Sequence, residues 1–370
     1  MPHPETPARR LALYAAALLC LSAFGAVAQS RPQVVIGGPD ISRDMFPEIH
    51  ADFPNGVRVL PNVTFWSPQG FRPLTMDIYQ PPPEVPRPKT GWPMLMFIHG
   101  GGWIGGNSHY SNPIADFPEL LAAISARGYV VTAVNYRLSN EAKWPAQAQD
   151  IKAAIRFLRA KAGLYGVDPA RFAVWGLSAG GQLAAVAATT CGLSELQPTG
   201  QYLPELPPPP PQASTDATPA PGTRVSNHDC VQAAIGWYGV YDMSTLTAQA
   251  RLAGAMSRED PGAPEWRLLG CMGEGCNPEK IATASAMQSL SFDAPPMQLV
   301  AGDSDKVVPP AQTLEFAGAL ASAGIDHEVT IIKGVGHNFS GSDPSQTQKA
   351  TQQALDEMLA FLERYLPPQP

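Results

Sequence analysis

The chain has 370 residues, 44% hydrophobic and 15% charged, enough to bury the core of one large α/β domain or two small ones. Its formal net charge of −7 and the absence of any basic run exclude a nucleic-acid-binding role, because nothing is available to neutralise phosphates. The 40 prolines cluster locally and mark loops rather than global disorder.

At the N-terminus, Arg9-Arg10 precedes an apolar run over 11–27 that ends in Ala26-Val27-Ala28, the small-x-small form that signal peptidase accepts. Residues 1–28 are therefore expected to be a signal peptide. The rival, a membrane anchor, needs a longer run and a basic flank after it. Cys20 follows Leu19 and so lacks the small residue that a lipoprotein site requires. Cleavage after Ala28 would leave 342 residues and, with Glu5, Arg9 and Arg10 removed, a net charge of −8. Localisation in the periplasm or outside the cell is expected, with no stable membrane anchor after cleavage.

Residues 29–62 are expected to be an N-terminal extension over the surface, and 63–370 to form the folded domain. Val63-Thr64-Phe65-Trp66 and Leu74-Thr75-Met76-Asp77-Ile78-Tyr79 read as a hairpin about Ser67-Pro68-Gln69-Gly70. Met94-Leu95-Met96-Phe97-Ile98 is a continuous apolar run, the mark of a central strand covered on both faces. His99-Gly100-Gly101-Gly102-Trp103 follows it directly. Helices are then expected at 120–126, 148–162, 182–188, 310–322 and 347–365, and strands at 129–134, 172–175, 231–237, 297–300 and 329–332. Such alternation predicts a mostly parallel sheet with helices on both faces. Two segments interrupt it. Residues 197–227, with Pro207 to Pro211, read as a flexible Pro-rich insertion, and 242–290 as a partly helical cap.

In an oxidising compartment, the even set Cys191, Cys230, Cys271 and Cys276 predicts two disulfides. Three pairings are open. The favoured one joins Cys271 to Cys276 as a local staple and Cys191 to Cys230 across the base of the insertion. A zinc site is the weaker rival, because no His spacing completes a ligand set.

The chemistry centres on Gly176-Leu177-Ser178-Ala179-Gly180, between a short buried strand and an alanine-rich helix. A serine at such a corner sits on a strained turn, exposed above the sheet at a helix N-terminus, where developing negative charge is favoured. A hydroxyl becomes nucleophilic when a base takes its proton and a carboxylate orients that base. Reactive groups gather at the carboxyl ends of parallel strands, so the partners should follow later strands. Asp305 and His337 meet that condition. Asp303 competes for the acid role but is expected to hydrogen-bond its own loop. The oxyanion donors are expected to be the amides of Gly101, Gly102 and Ala179. His99 is expected to brace the glycine loop. Trp103, Trp237 and Tyr241 are candidates for the mouth of a substrate pocket, where they would hint at an aromatic or sugar-linked ester.

The residues His99-Gly100-Gly101-Gly102-Trp103, Asn135-Tyr136-Arg137-Leu138, Trp175 to Gly181, Gly239-Val240-Tyr241-Asp242, Gly302 to Pro309 and Gly336-His337 together resemble the α/β-hydrolase superfamily. The likeness is to its hormone-sensitive-lipase-like and bacterial feruloyl-esterase-like (BD-FAE) carboxylesterases, over about residues 63–366. It implies an α/β-hydrolase fold with a small cap insertion and a Ser178, His337, Asp305 acyl-enzyme mechanism on a carboxylic ester. The Asp-x-x-Val-Pro signature again selects Asp305, and a short cysteine staple precedes the acid strand at Cys271 and Cys276. No metal or cofactor is implied, and the substrate would be a small-molecule or polysaccharide-linked ester. The sequence departs from the pattern in the length of its Pro-rich insertion and in Trp144, where a smaller aromatic is usual. The alternatives are an exported peptidase or amidase on the same fold, without the propeller domain that prolyl-oligopeptidase-like enzymes carry, and a non-catalytic binding protein.

Overall fold

A computed structural model describes residues 49–198 and 229–368. The expected signal peptide, most of the N-terminal extension and nearly all of the Pro-rich insertion lie outside the described residues. The frame is a nine-stranded sheet: β1 (Ala51–Asp52), β2 (Arg58–Trp66), β3 (Leu74–Gln80), β4 (Trp92–Ile98), β5 (Val130–Val134), β6 (Val167–Leu177), β7 (Ala233–Trp237), β8 (Met297–Gly302) and β9 (His327–Ile332), in the order β1-β2-β3-β5-β4-β6-β7-β8-β9. Strands β1, β2, β3 and β5 pair antiparallel in turn, and every pairing from β5 through β4 to β9 is parallel.

The two-residue period of a strand divides the core. Met94, Met96 and Ile98 of β4 and Phe172 and Val174 of β6 face one apolar layer. Leu95 and Phe97 of β4 and Ala173, Trp175 and Leu177 of β6 face the other. The first layer is covered by helices α2 (Ala146–Ala160), α4 (Ala179–Thr189) and α8 (Ala311–Ser322), through residues such as Ile151, Ile155, Leu183, Val186 and Phe316. The second is covered by α1 (Phe117–Ser125) and α9 (Pro344–Tyr365), through Phe117, Leu121, Met358, Phe361 and Leu362. The short helix α3 (Ala162–Tyr165) extends α2 toward β6. Burial on both faces is why the central strands read as unbroken apolar runs.

One boundary moves. Strand β2 begins at Arg58, inside the stretch expected to wrap the surface, and Val57, Val59 and Leu60 are buried. The register against β3 shifts between Leu60 and Val63. There Pro61 has no N–H to give the ladder, and Asn62 takes φ 56° with its amide donating to Asp77 Oδ1 at 2.8 Å. That bulge interrupts the two-residue alternation by which a strand is recognised in sequence.

Residues 242–290 contain the short helices α5 (Leu246–Leu252), α6 (Pro264–Leu269) and α7 (Pro278–Thr283). Trp144 ties this segment to the start of α2: its indole donates to Thr283 Oγ1 at 3.0 Å and its amide to Leu268 O at 2.9 Å. Both cysteine pairs are joined, Cys191 to Cys230 with Cα atoms 4.7 Å apart and Cys271 to Cys276 at 5.1 Å.

Beside the first pair, the fully buried Lys152 donates to Thr190 O at 2.6 Å and to the Asp229 carboxylate, which also accepts from Gly192 N–H. Removing one member of a buried ion pair leaves the other charge uncompensated. Lys152→Met is therefore expected to lower the unfolding free energy by about 3–5 kcal/mol, read as a lower urea midpoint at unchanged slope.

Candidate active site

Strand β6 ends at Leu177 and helix α4 begins at Ala179, so Ser178 carries the whole change of direction. Its backbone takes φ 54° and ψ −116°, a conformation costly for any residue with a side chain. The flanking glycines make room rather than supply unusual dihedrals. A Cβ on Gly180 would lie 2.0 Å from Ile98 O, and one on Gly176 would lie 2.0 Å from Gly180 O. The Ser178 amide is anchored to Trp237 O at 2.9 Å.

The structure brings Ser178, His337 and Asp305 together from three separate strand ends. His337 Nε2 lies 2.9 Å from Ser178 Oγ, and His337 Nδ1 lies 2.7 Å from Asp305 Oδ2. The Asp305 carboxylate is fully buried, whereas the imidazole retains 12% exposure. Asp305 Oδ1 accepts from the Val307 and Val308 amides at 2.7 and 2.9 Å, so both oxygens are committed. A neutral His337 donating through Nδ1 to the carboxylate presents a bare Nε2 to the serine hydroxyl.

Asp303 lies apart from this group. It is exposed and accepts from Ser304 Oγ and the Gly334 amide, both at 2.8 Å. These bonds, the Ser304 hydroxyl first, hold its carboxyl below the usual range.

The glycine loop after β4 faces the same serine. Gly101 has φ 105°, and a Cβ there would meet Gly105 O at 2.3 Å, so only glycine fits. Among the described residues no group accepts from the Gly101 or Gly102 amide. His99 braces the loop from beneath: its ring stacks on Tyr136 at 4.2 Å, and Nδ1–H donates to Gly100 O at 2.7 Å. Burial lowers its pKa to about 4.

A cavity of about 460 Å³ opens over Ser178 and His337. It is lined by the glycine loop and Tyr110, by Val240, Val307 and Val308, and by Met256, Arg258 and Pro264 of the 242–290 segment. Trp103 borders it, but its indole is buried and donates to Gln182 Oε1 at 3.1 Å.

Trp237 and Tyr241 do not reach the mouth. Trp237 closes β7 with its side chain in the second core layer, against Trp175 at 5.0 Å and Phe339 at 5.3 Å. Tyr241 is fully buried and stacked on Phe316 at 4.8 Å, its phenol filling the gap beside Gly236 and Gly239. A residue between them, Tyr238, matters more. Tyr238, with φ 42°, sets its ring edge-on to His337 at 4.8 Å. Burial, reinforced by Asp305, pushes its phenol pKa well up, so it packs as a neutral group. The available signal was its place at the carboxyl end of β7. Arg258 and Met256 carried no such signal, because they reach the cavity from an irregular segment.

Among the described residues no three His, Cys, Asp or Glu side chains are grouped to hold a metal ion, and no helix is long and apolar enough to cross a membrane.

A largely parallel sheet carrying a serine turn, with acid and imidazole on the loops after later strands, defines an α/β-hydrolase fold. The BD-FAE family profile matches residues 76–320 and the dienelactone hydrolase family profile residues 283–366, and the chain belongs to the BD-FAE family. The chain is 30% identical to esterase LipC of Mycobacterium tuberculosis over 69% of its own length and 55% of that protein. It is 28% identical to esterase LipQ of the same organism, over 69% of this chain and 51% of the relative. It thus spans about half the length of the curated relatives it matches. Among solved structures, a truncated carbohydrate esterase from gut microbiota superposes with a TM-score of 0.59 at 25% identity, over 83% of this chain and 99% of the other. A thermophilic esterase from Thermogutta terrifontis gives 0.58 at 25% identity, over 85% and 94%.

The depressed basicity of His99 has a direction. The unfolded chain protonates this imidazole near its ordinary pKa of about 6.5, whereas the folded state resists until about 4. Its contribution to stability is complete above about 6.5 and is lost as pH falls toward 4, by about 3 kcal/mol in total. The loss of stability between pH 7 and 4.5, measured by urea unfolding, is expected to be smaller in His99→Asn than in the wild type.

Proposed function

We propose that the protein is an exported serine carboxylesterase. The observation that carries this reading is the continuous hydrogen-bonded line from Ser178 Oγ through His337 to Asp305 at the floor of an open cavity. Ser178 Oγ attacks the ester carbonyl while its proton passes to His337 Nε2. Asp305 keeps the ring in the tautomer with Nδ1 protonated and stabilises the imidazolium that forms. The amides of Gly101, Gly102 and Ala179 receive the charge that develops on the carbonyl oxygen. Collapse of the tetrahedral species expels the alcohol, which takes the proton from His337. Water, deprotonated by the same imidazole, then attacks the acyl-enzyme and releases the carboxylic acid and Ser178. No step calls for a metal or organic cofactor, and no nucleic-acid partner is invoked.

The names of the relatives, esterases and a carbohydrate esterase, support a small-molecule or carbohydrate-linked ester as substrate. Of the three aromatics considered for specificity, only Trp103 borders the cavity, so the aromatic-ester hint loses Trp237 and Tyr241. The exposed apolar rim of Ile104, Tyr110 and Met256 favours esters with an uncharged group at the entrance.

Ser178→Ala is expected to remain folded and to lose p-nitrophenyl acetate turnover by a factor on the order of a million, with no labelling by a fluorophosphonate probe. Wild-type turnover in that variant would refute the mechanism. Parallel assays on acetyl, butyryl, octanoyl and feruloyl esters and on peptide substrates should show turnover of esters only.

Export rests on Arg9-Arg10, the apolar run after it and Ala26-Val27-Ala28, together with two disulfide-joined cysteine pairs. Expression of the full chain in a secreting bacterium should yield a protein whose first residue, by N-terminal sequencing, is Gln29. An intact Met1 terminus on purified enzyme would overturn it.

A further inference from the structure

The stretch between α5 and α6 runs beside the loop that bears Asp305. The Met256 amide donates to Lys306 O at 2.8 Å, and Lys306 Nζ reaches Ala253 O at 2.6 Å. Arg258 then turns inward and is buried. Its Nη1 lies 2.9 Å from Glu265 Oε2, and its Nη2 donates to the carbonyl of Val307. Its own carbonyl is held by Trp266 Nε1 at 2.7 Å. The Val307 residue so gripped is one of the two whose amides donate to Asp305 Oδ1.

A buried ion pair is an inefficient source of stability, because desolvation offsets its attraction and apolar replacements are often neutral or better. This one is also incompletely satisfied: Arg258 Nε and Glu265 Oε1 are buried without a partner among the described residues. What the guanidinium provides, and an apolar side chain would not, is a directional bond to a carbonyl next to the acid.

We propose that Arg258 is a positioning residue that fixes the Val307 backbone, so that Asp305 is held through Oδ1 and offers Oδ2 to His337. Glu265 orients the guanidinium for that task. The 242–290 segment therefore helps to set the acid as well as walling the cavity. The inference rests on the ester-hydrolysis reading of Ser178, His337 and Asp305.

The test compares wild type, the double variant Arg258→Met with Glu265→Leu, and Arg258→Gln, whose shorter amide does not span Glu265 and Val307 together. The readouts are p-nitrophenyl acetate kinetics and the downfield proton NMR resonance of the His337 Nδ1–H bond to Asp305, which needs no turnover. The double variant is expected to melt close to wild type, because it leaves no charge unpaired. Its kcat should fall about 10- to 100-fold with KM within about twofold, and its downfield resonance should broaden or move. Arg258→Gln should show the same kinetic split and the same spectral change. Wild-type kcat and resonance in the double variant would overturn the proposal. Should the double variant not fold, the same result in Arg258→Gln would overturn it. Persistent turnover in Ser178→Ala would instead sink the hydrolysis reading, while the resonance still reports on Arg258.

Discussion

At Ser178 the backbone holds φ 54° and ψ −116°, a state worth about 1–3 kcal/mol of strain, and the surrounding structure is arranged to keep it there. The turn survives because β6 is locked between β4 and β7 and because two glycines let neighbouring backbone approach where a methyl group would collide. The Ile98 carbonyl that presses against Gly180 belongs to the strand that also launches the glycine loop. One close contact therefore sets the serine and its facing amides in a common frame.

From that corner the packing extends in a line of aromatics. Phe97 meets Trp175, Trp175 meets Trp237, Trp237 meets Phe339, and Phe339 meets Tyr238, whose ring stands edge-on to His337. Each ring is buried, so the imidazole rests on the sheet core rather than on a mobile loop. Asp305 is restrained on the other side by two amides. His337 is thus fixed by apolar packing beneath and by a directional bond at Nδ1, which leaves Nε2 pointed at the serine.

Much of this was legible in the sequence because local rules and the fold agree. The run from Met94 to Ile98 declared a strand covered on both faces, alternation put Ser178, Asp305 and His337 after strand ends, and the Gly-x-Ser-x-Gly and Asp-x-x-Val-Pro patterns singled out Ser178 and, over Asp303, Asp305. What escaped the reading depended on distant parts of the chain. The start of β2 was hidden by a bulge at Pro61 and Asn62 whose purpose, an amide for the buried Asp77, lies on the neighbouring strand. Trp237 and Tyr241 carry the composition of a pocket wall, yet the second core layer takes the first and two glycines make a slot for the second. Arg258 had no periodic context, and its partners Glu265 and Val307 are seven and 49 residues away.

The disulfide between Cys191 and Cys230 ties the stretch after α4 to the stretch before β7. The joined residues lie 4.7 Å apart at Cα, and their neighbours Thr190 and Asp229 both accept from the Lys152 ammonium. A pull on either stem is therefore shared by a covalent bond and a buried ion pair before it reaches α4 or β7.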